Sequence, residues 1–258
     1  MSFDVSKCLP AMPRVQVAGV NVTVSSFSEA LDFVGMLVER RVPAYISCAN
    51  AYSISLAHQD DRYREILNSS AFVTSDGIPV VWALHLLGYR SERVHNDDLM
   101  LACCASFPNW RHYLVGGRRG QPQHVSEALE LRFPGINIVG AHPTPVRPVP
   151  ALETESILDA IRSAKPDIVW VGMGTPSQDE WMFEAAPRSC APMVACGSCF
   201  DLLSGRTKPA PEWMKRHGLQ WAFRLVQEPG HLAFRYFYHN PRFVAAFALQ
   251  FARVKLRG

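Results

Sequence analysis

Apolar positions along this chain come in short runs separated by helical patterns. Arg14-Val-Gln-Val-Ala-Gly-Val-Asn-Val-Thr-Val24 alternates around Gly19 and predicts two paired strands. Ser28 is expected to cap a helix carrying Leu31, Val34 and Val38 on one side. Tyr45-Ile-Ser-Cys48 reads as a short buried strand, followed by a helix from Asn50 through Ile54 and Ala57 and another over 60–68. Ala71-Phe-Val-Thr74 is the next strand, ending in Ser75-Asp76-Gly77. The run from Ile78 to Leu87 is helical and apolar on nearly all sides, so burial is expected.

The second half repeats the rhythm. Strands are predicted over 112–115, 136–139, 167–172 and 192–196. Helices run through Val125, Leu129 and Leu131, over 152–164, from Gly174-Thr-Pro-Ser-Gln178, and from Ser198. His142 to Pro150 is Pro-rich and predicts a loop. Strand and helix in alternation, with short apolar strands, give an α/β chain whose mainly parallel sheet is covered on both faces. After Gly205 the strand signal ends. Residues 211–255 hold ten of the 27 aromatics and read as helical. The organisation expected is therefore an α/β domain over 1–204 and a helical appendage over 205–258.

Charge sharpens that division. The chain carries only +3, but 205–258 has ten Lys/Arg against two Glu, a balance of +8, which leaves −5 on 1–204. Basic and aromatic residues together suit an interfacial helix on an anionic membrane. They suit packing on the domain or an oligomer interface as well, and a nucleic-acid role lacks any recognition motif. No apolar run reaches the roughly 18–20 residues of a membrane span, and the N-terminus lacks a signal-peptide core. A cytoplasmic protein is expected. Seven cysteines without framework spacing argue against a disulfide scaffold. Cys196-Gly-Ser-Cys199 has redox-pair spacing, but it follows an apolar run and reads as strand-to-helix packing.

In an open parallel sheet, ligands bind beyond the carboxyl ends of the strands. That rule selects Cys48-Ala-Asn50, Ser75-Asp76-Gly77, Gly116-Gly117, Gly172-Met-Gly174 through Gln178, and Gly197 to Asp201. The glycines serve either close approach to a phosphate or the geometry of a βα turn. No GxxxxGK[ST] and no dinucleotide fingerprint occurs. Asp76, between two buried segments, is either a helix N-cap or a carboxylate put to use. The pair Asp97-Asp98 is expected to start a helix, and Asp60-Asp61 to lie on a solvated helix face.

Several ordered motifs resemble those of the WecG/TagA/CpsF glycosyltransferases. They are Ser75-Asp76-Gly77-Ile-Pro-Val-Val-Trp82, Glu92-Arg93-Val94 with Asp98-Leu99, and Gly172-Met-Gly174-Thr-Pro-Ser-Gln178-Asp-Glu-Trp181. Phe200-Asp201-Leu-Leu-Ser-Gly205, Ala210-Pro211-Glu-Trp213, Gly218-Leu219-Gln-Trp221, Arg224-Leu-Val-Gln-Glu228-Pro229 and Asn240-Pro241-Arg242-Phe243 continue the match.

The resemblance implies a Rossmann-like fold with a membrane-associating appendage. It implies an inverting transfer from a UDP-sugar to a polyprenyl-diphosphate-linked saccharide, at the inner face of the bacterial membrane. The implied base is Asp76. Asn50, Gly116, Gly117, Gly172, Gly174, Gln178 and Asp201 are expected on the donor side, and Cys48, Arg93, Arg224 and Arg235 on the acceptor and its diphosphate. With no DxD motif, metal-independent transfer is expected, the basic appendage supplying positive charge. A homo-oligomer is compatible with this reading. A non-catalytic nucleotide-binding scaffold is the alternative, disfavoured by retention of Asp76 and Gln178. The chain departs from the family pattern at Cys48 (usually Thr), at Asn96 (usually Gly), at Pro209, where an arginine is lost, and at His231 and Phe234, positions often basic.

Overall fold

The computed structural model describes residues 9–211, 213–214 and 219–256. Cys8, Glu212, Lys215, Arg216 and Gly218 lie outside the described residues, as does the side chain of His231. Strands β1 (Arg14–Val17) and β2 (Val20–Thr23) form the antiparallel hairpin expected around Gly19, with Arg14 opposite Thr23. The main sheet comprises β3 (Tyr45–Ala49), β4 (Phe72–Ser75), β5 (Arg111–Gly116), β6 (Asn137–His142), β7 (Ile168–Gly172) and β8 (Met193–Ala195). Its order is β4-β3-β8-β7-β5-β6 and every pairing is parallel.

This order places a switch point. From β5 the chain moves outward to β6, whereas from β7 it moves inward to β8. The neighbours β5 and β7 thus send their connections in opposite directions and leave a crevice beyond their carboxyl ends.

Alternation along the strands splits the core. Ile46, Phe72, Leu114, Trp170 and Val194 point to one face. They meet α1 (Phe27–Glu39), α5 (Asn96–Ser106), α6 (Gln121–Arg132) and α9 (Gly197–Leu203). Tyr45, Val115, Val169, Val171 and Met193 point the other way, against α7 (Ala151–Ala164) and α8 (Ser177–Ala185). Beyond them on that side, Ala49 and Val73 pack with the hairpin, α2 (Ala51–Gln59), α3 (Asp61–Ser69) and α4 (Ile78–Leu86). Inside the sheet, the Trp170 indole N–H donates to His112 Nδ1 at 3.1 Å. That bond needs a neutral acceptor nitrogen, and burial pulls the His112 pKa down to about 4.

Two local expectations are corrected. The cap of α1 is Ser26, not Ser28: its hydroxyl accepts from Glu29 N while Glu29 reaches back to Ser26 N, a complete capping box. Helix α4 is not buried all round. Val80, Val81, Ala83 and Leu84 are buried, but Trp82 is 63% exposed and Leu86 59%.

The described residues from Gln220 on are helical, as expected: α10 (Gln220–Gln227), α11 (Pro229–Phe234), a π-helical turn Arg235–His239, and α12 (Asn240–Lys255). Phe243, Ala246 and Phe247 of α12 join the core cluster of the hairpin and α2. Gln250 clamps the hairpin turn, accepting from Ala18 N and donating to Gln16 O. Trp221, Val226, Phe234, Phe237, Val244 and Leu249 stay exposed on this segment. No described helix is long and apolar enough to cross a membrane.

Candidate active site

Asp76 follows β4 directly and does not cap a helix. The N-cap of α4 is Gly77, and it has no side-chain cap bond. The Asp76 backbone N–H instead donates to Ala49 O at 3.0 Å, tying the loop to the end of β3. Each carboxylate oxygen faces a different partner. Asn50 Nδ2 donates to Oδ2 at 3.3 Å, and His95 Nε2 stands 3.7 Å from Oδ1. Asn50 is pinned as the N-cap of α2, its Oδ1 accepting from Tyr52 N and Ser53 N at 3.1 Å each. Capping thus spends the amide oxygen and turns the amide nitrogen toward Asp76.

The residues expected on the acceptor side gather around this carboxylate by different routes. Arg93 Nε donates to the Asp76 carbonyl at 2.9 Å, and its Nη2 donates to Gln220 Oε1 of α10 at 3.0 Å. Arg93 therefore ties the Asp76 loop to the helical tail. Arg235 lies 4.0 Å from the centroid of the Tyr52 ring. Burial lowers its pKa, and its Nε has no hydrogen-bond partner. Such a guanidinium, stripped of water, gains strongly from an anionic ligand. The charge of Arg224 acts on Asp97, Arg235 and Tyr236, so it belongs to the same neighbourhood. Cys48 is buried, and burial first, then Asp76, pushes its thiol well above the ordinary range.

Of the residues expected on the donor side, Asn50 lies against Asp76, and the others form a second group around the β5/β7 crevice. Several are explained by packing. A Cβ on Gly116 (φ +129°) would lie 2.5 Å from the backbone carbon of Gly172, and one on Gly172 would lie 2.3 Å from the Phe200 ring. Gly117 N donates to Gly172 O at 3.0 Å. A Cβ on Gly174 would meet only Arg147 Nη1, at 3.8 Å, so it is the positive φ of +80° rather than crowding that suits glycine there. Asp201 accepts from Gln121 Nε2 at 2.9 Å and pairs with Arg206 at 3.3 Å. Gln178 is only 2% exposed and braces the loop: its Oε1 accepts from Gly174 N at 3.0 Å, and its Nε2 points at Cys48 Sγ at 4.0 Å. It links the two groups from inside rather than lining the surface of either.

The family profile described as the glycosyl transferase WecG/TagA/CpsF family matches residues 15–257. This chain belongs to that family. Similar curated proteins include the N-acetylglucosaminyldiphosphoundecaprenol N-acetyl-beta-D-mannosaminyltransferases of Bacillus subtilis (strain 168) and Bacillus spizizenii. The first is 29% identical over 216 residues, 81% of each chain. The second is 29% identical over 229 residues, 85% of this chain and 86% of the relative. The enzyme of the same name from Staphylococcus aureus (strain MW2) is 27% identical over 188 residues, 71% of this chain and 72% of the relative.

Within this WecG/TagA/CpsF glycosyltransferase, several polar groups near the site carry no sequence signal of their own. Arg147, in the Pro-rich loop, is an exposed residue that donates to Met173 O and whose charge acts on Asp201. Asp97 is buried, accepts from Ser198 Oγ at 2.7 Å, and has its pKa raised, chiefly by burial. Asp179 is wholly buried, with Tyr63 donating to its Oδ2 at 2.9 Å, and burial pushes its pKa up to about 6. Asn96 accepts from Thr74 Oγ1 and donates to Ala195 O, both at 2.6 Å, which locks the start of α5 to β4 and β8. The family's usual glycine there would make neither bond. Cys196 and Cys199 are free, buried thiols pushed well above the ordinary range, so the packing reading of this pair holds.

Proposed function

We propose that this protein transfers a sugar from a UDP-sugar to a polyprenyl-diphosphate-linked saccharide with inversion, and that Asp76 takes the acceptor's hydroxyl proton. The observation that carries this reading is the setting of Asp76. It is a carboxylate at the end of a parallel strand, oriented by Asn50 and His95, with a water-poor guanidinium at Arg235 in the same neighbourhood. As the acceptor oxygen attacks the anomeric carbon its proton goes to Asp76, while the bond to the diphosphate breaks and that charge needs positive partners. Arg235 and Arg224 offer charge on the Asp76 side, and Arg147 at the β5/β7 crevice. The transfer is metal-independent on this reading.

The relatives' names suggest N-acetylmannosamine as the sugar and an N-acetylglucosaminyl-diphosphate lipid as its acceptor, so the first pair to assay is UDP-N-acetylmannosamine with that lipid. UDP release should require both substrates and continue in EDTA. Asp76→Asn should retain the wild-type melting curve and lose about 10²–10⁴-fold in rate, the usual contribution of a positioned base. Wild-type turnover in Asp76→Asn removes the base assignment, and dependence on added Mg²⁺ removes metal independence. A lipid-borne acceptor calls for work at a membrane, and the exposed Trp221, Phe234 and Phe237 of the basic tail support that reading. The double variant Trp221→Ser, Phe237→Ser should bind anionic liposomes more weakly than wild type. Equal binding would move the contact elsewhere.

A further inference from the structure

Three carboxylates surround the single imidazole of His95. Its Nε2 lies 3.7 Å from Asp76 Oδ1 and 3.9 Å from Asp97 Oδ2, and its Nδ1 lies 3.6 Å from Asp98 Oδ2. The ring is enclosed, with 11% of the side chain exposed, and Nδ1 has no hydrogen-bond partner. The carboxylates on its two sides differ in access to water. Asp76 is 17% exposed and faces the site, whereas Asp98 is 66% exposed and faces solvent. Two further contacts fix the ring's surroundings. Ser198 holds the buried Asp97, and Asn96 locks the residue next to His95 onto β4 and β8.

We propose that His95 is a positioning and proton-relay residue that carries the proton taken by Asp76 away from the reaction centre to Asp98 and then to water. The inference rests on Asp76 being the base. The acceptor oxygen forms its bond to the anomeric carbon, and the bond from that carbon to the diphosphate oxygen breaks with its electron pair on the leaving group. The acceptor proton passes to Asp76 and then to Nε2 of His95. The Nδ1 proton moves to the Asp98 carboxylate and then to bulk water, so no proton is gained or lost by the enzyme over a cycle. The relay starts from the Nδ1–H tautomer, with Nδ1 set against Asp98, and transfer leaves the Nε2–H tautomer, which returns to Nδ1–H by proton exchange with water before the next cycle. Asp97, facing Nε2 beside Asp76, is the second carboxylate that steadies the imidazolium in passing. An acceptor placed to give its proton to Asp76 occupies the exposed edge of that carboxylate, which leaves the His95 side as the way out.

The test is steady-state kinetics of the full-length enzyme, with wild type, His95→Gln, Asp98→Asn and Asp76→Asn in parallel. His95→Gln should keep the wild-type melting curve, leave both KM values within about twofold and lower kcat about 10- to 100-fold, a loss in the range of proton-transfer catalysis. Asp98→Asn, on the solvent side, should lower kcat less, and a small carboxylate buffer such as formate should restore part of the loss. A ring with a purely structural role would not respond to buffer. Wild-type kcat in both His95→Gln and Asp98→Asn overturns the relay. So does a loss in either variant that appears only in KM. Should His95→Gln fail to fold, Asp98→Asn decides alone, and wild-type kcat there overturns the relay. An inactive Asp76→Asn beside a fully active His95→Gln sinks the relay and leaves the base standing, whereas an active Asp76→Asn sinks both.

Discussion

Asp179→Asn should make this protein more stable at pH 7.5, and the gain should shrink in mild acid. Asp179 is wholly buried, and its pKa is pushed from an ordinary 3.8 to about 6, first by desolvation. Tyr63 and the nearby Ser47 hydroxyl favour the charged form but do not offset burial. Tyr63 is well placed at 2.9 Å, whereas Asp179 Oδ1 and Ser47 Oγ each lack a partner of good hydrogen-bond geometry. The raised pKa fixes the sign. Between about pH 4 and 6 the folded state holds a proton that the unfolded state has released, so stability falls as pH rises through that window. A shift of about two units corresponds to about 3 kcal/mol of penalty above pH 6. An asparagine would accept from Tyr63 and turn its amide toward Ser47 Oγ without carrying charge. Desolvating the amide retains part of the cost, so the expected gain is about 1–3 kcal/mol. For a chain of this size that is about 3–10 °C in Tm.

The assay is thermal unfolding of both proteins from pH 4.5 to 8. Other carboxylates titrate equally in each, so the difference in Tm isolates position 179. The stabilisation of the variant relative to wild type should grow steadily from pH 4.5 and reach its full value above about pH 6.5. An asparagine variant less stable than wild type at pH 8, or a difference that ignores pH, would refute the account of a strained buried carboxylate. Tyr63→Phe gives the opposite sign at pH 8, a loss of about 1.5–3 kcal/mol, because it strips the charged oxygen of its donor.

Two further substitutions probe the site's framework. Gly172→Ala forces a Cβ to within 2.3 Å of the Phe200 ring in the closed core and should cost about 1–3 kcal/mol or more, read as a lower Tm and soluble yield; an unchanged Tm would show that α9 yields freely. Asn50→Asp keeps the cap on α2 but replaces the amide donor by a second charge facing Asp76, so Tm should hold while the acid limb of the kcat/KM profile moves to higher pH, Asp76 then ionising beside a like charge. An unmoved limb would separate Asn50 from the base.

The architecture was legible where a single local pattern decides it. Apolar runs of four or five residues followed by Gly, Asn or Asp marked each parallel strand and the loop after it, and an alternating stretch around Gly19 could only be a hairpin. Helix α4 misled because hydropathy cannot tell a surface meant to be covered by its own domain from one left open, as Trp82 and Leu86 are. The cap of α1 was missed although Ser26 and Glu29 have capping-box spacing, because Ser25, Ser26 and Ser28 all satisfy the simpler rule. Asp76 and Asn50 were found since both end strands, where the fold gathers ligands. His95, Asp97, Asp179 and Arg147 were not, because each owes its position to a helix or loop crossing from elsewhere in the chain.

That difference bears on what the glycines mean. Gly116 and Gly172 are demanded by the contact of β5 with β7 and of β7 with α9, so their presence follows from the fold with or without a nucleotide. Gly174 differs: its positive φ, not crowding, suits glycine, and its backbone N–H bonds Gln178 with Arg147 alongside. Gln178 then reaches from this loop to Cys48, one strand position before Ala49, whose carbonyl anchors Asp76. A continuous set of buried contacts therefore runs from the β5/β7 crevice to the carboxylate. Gln178 and β3 thus join the crevice loop to Asp76 in one run of contacts, and Gln178 braces the two groups of residues from inside.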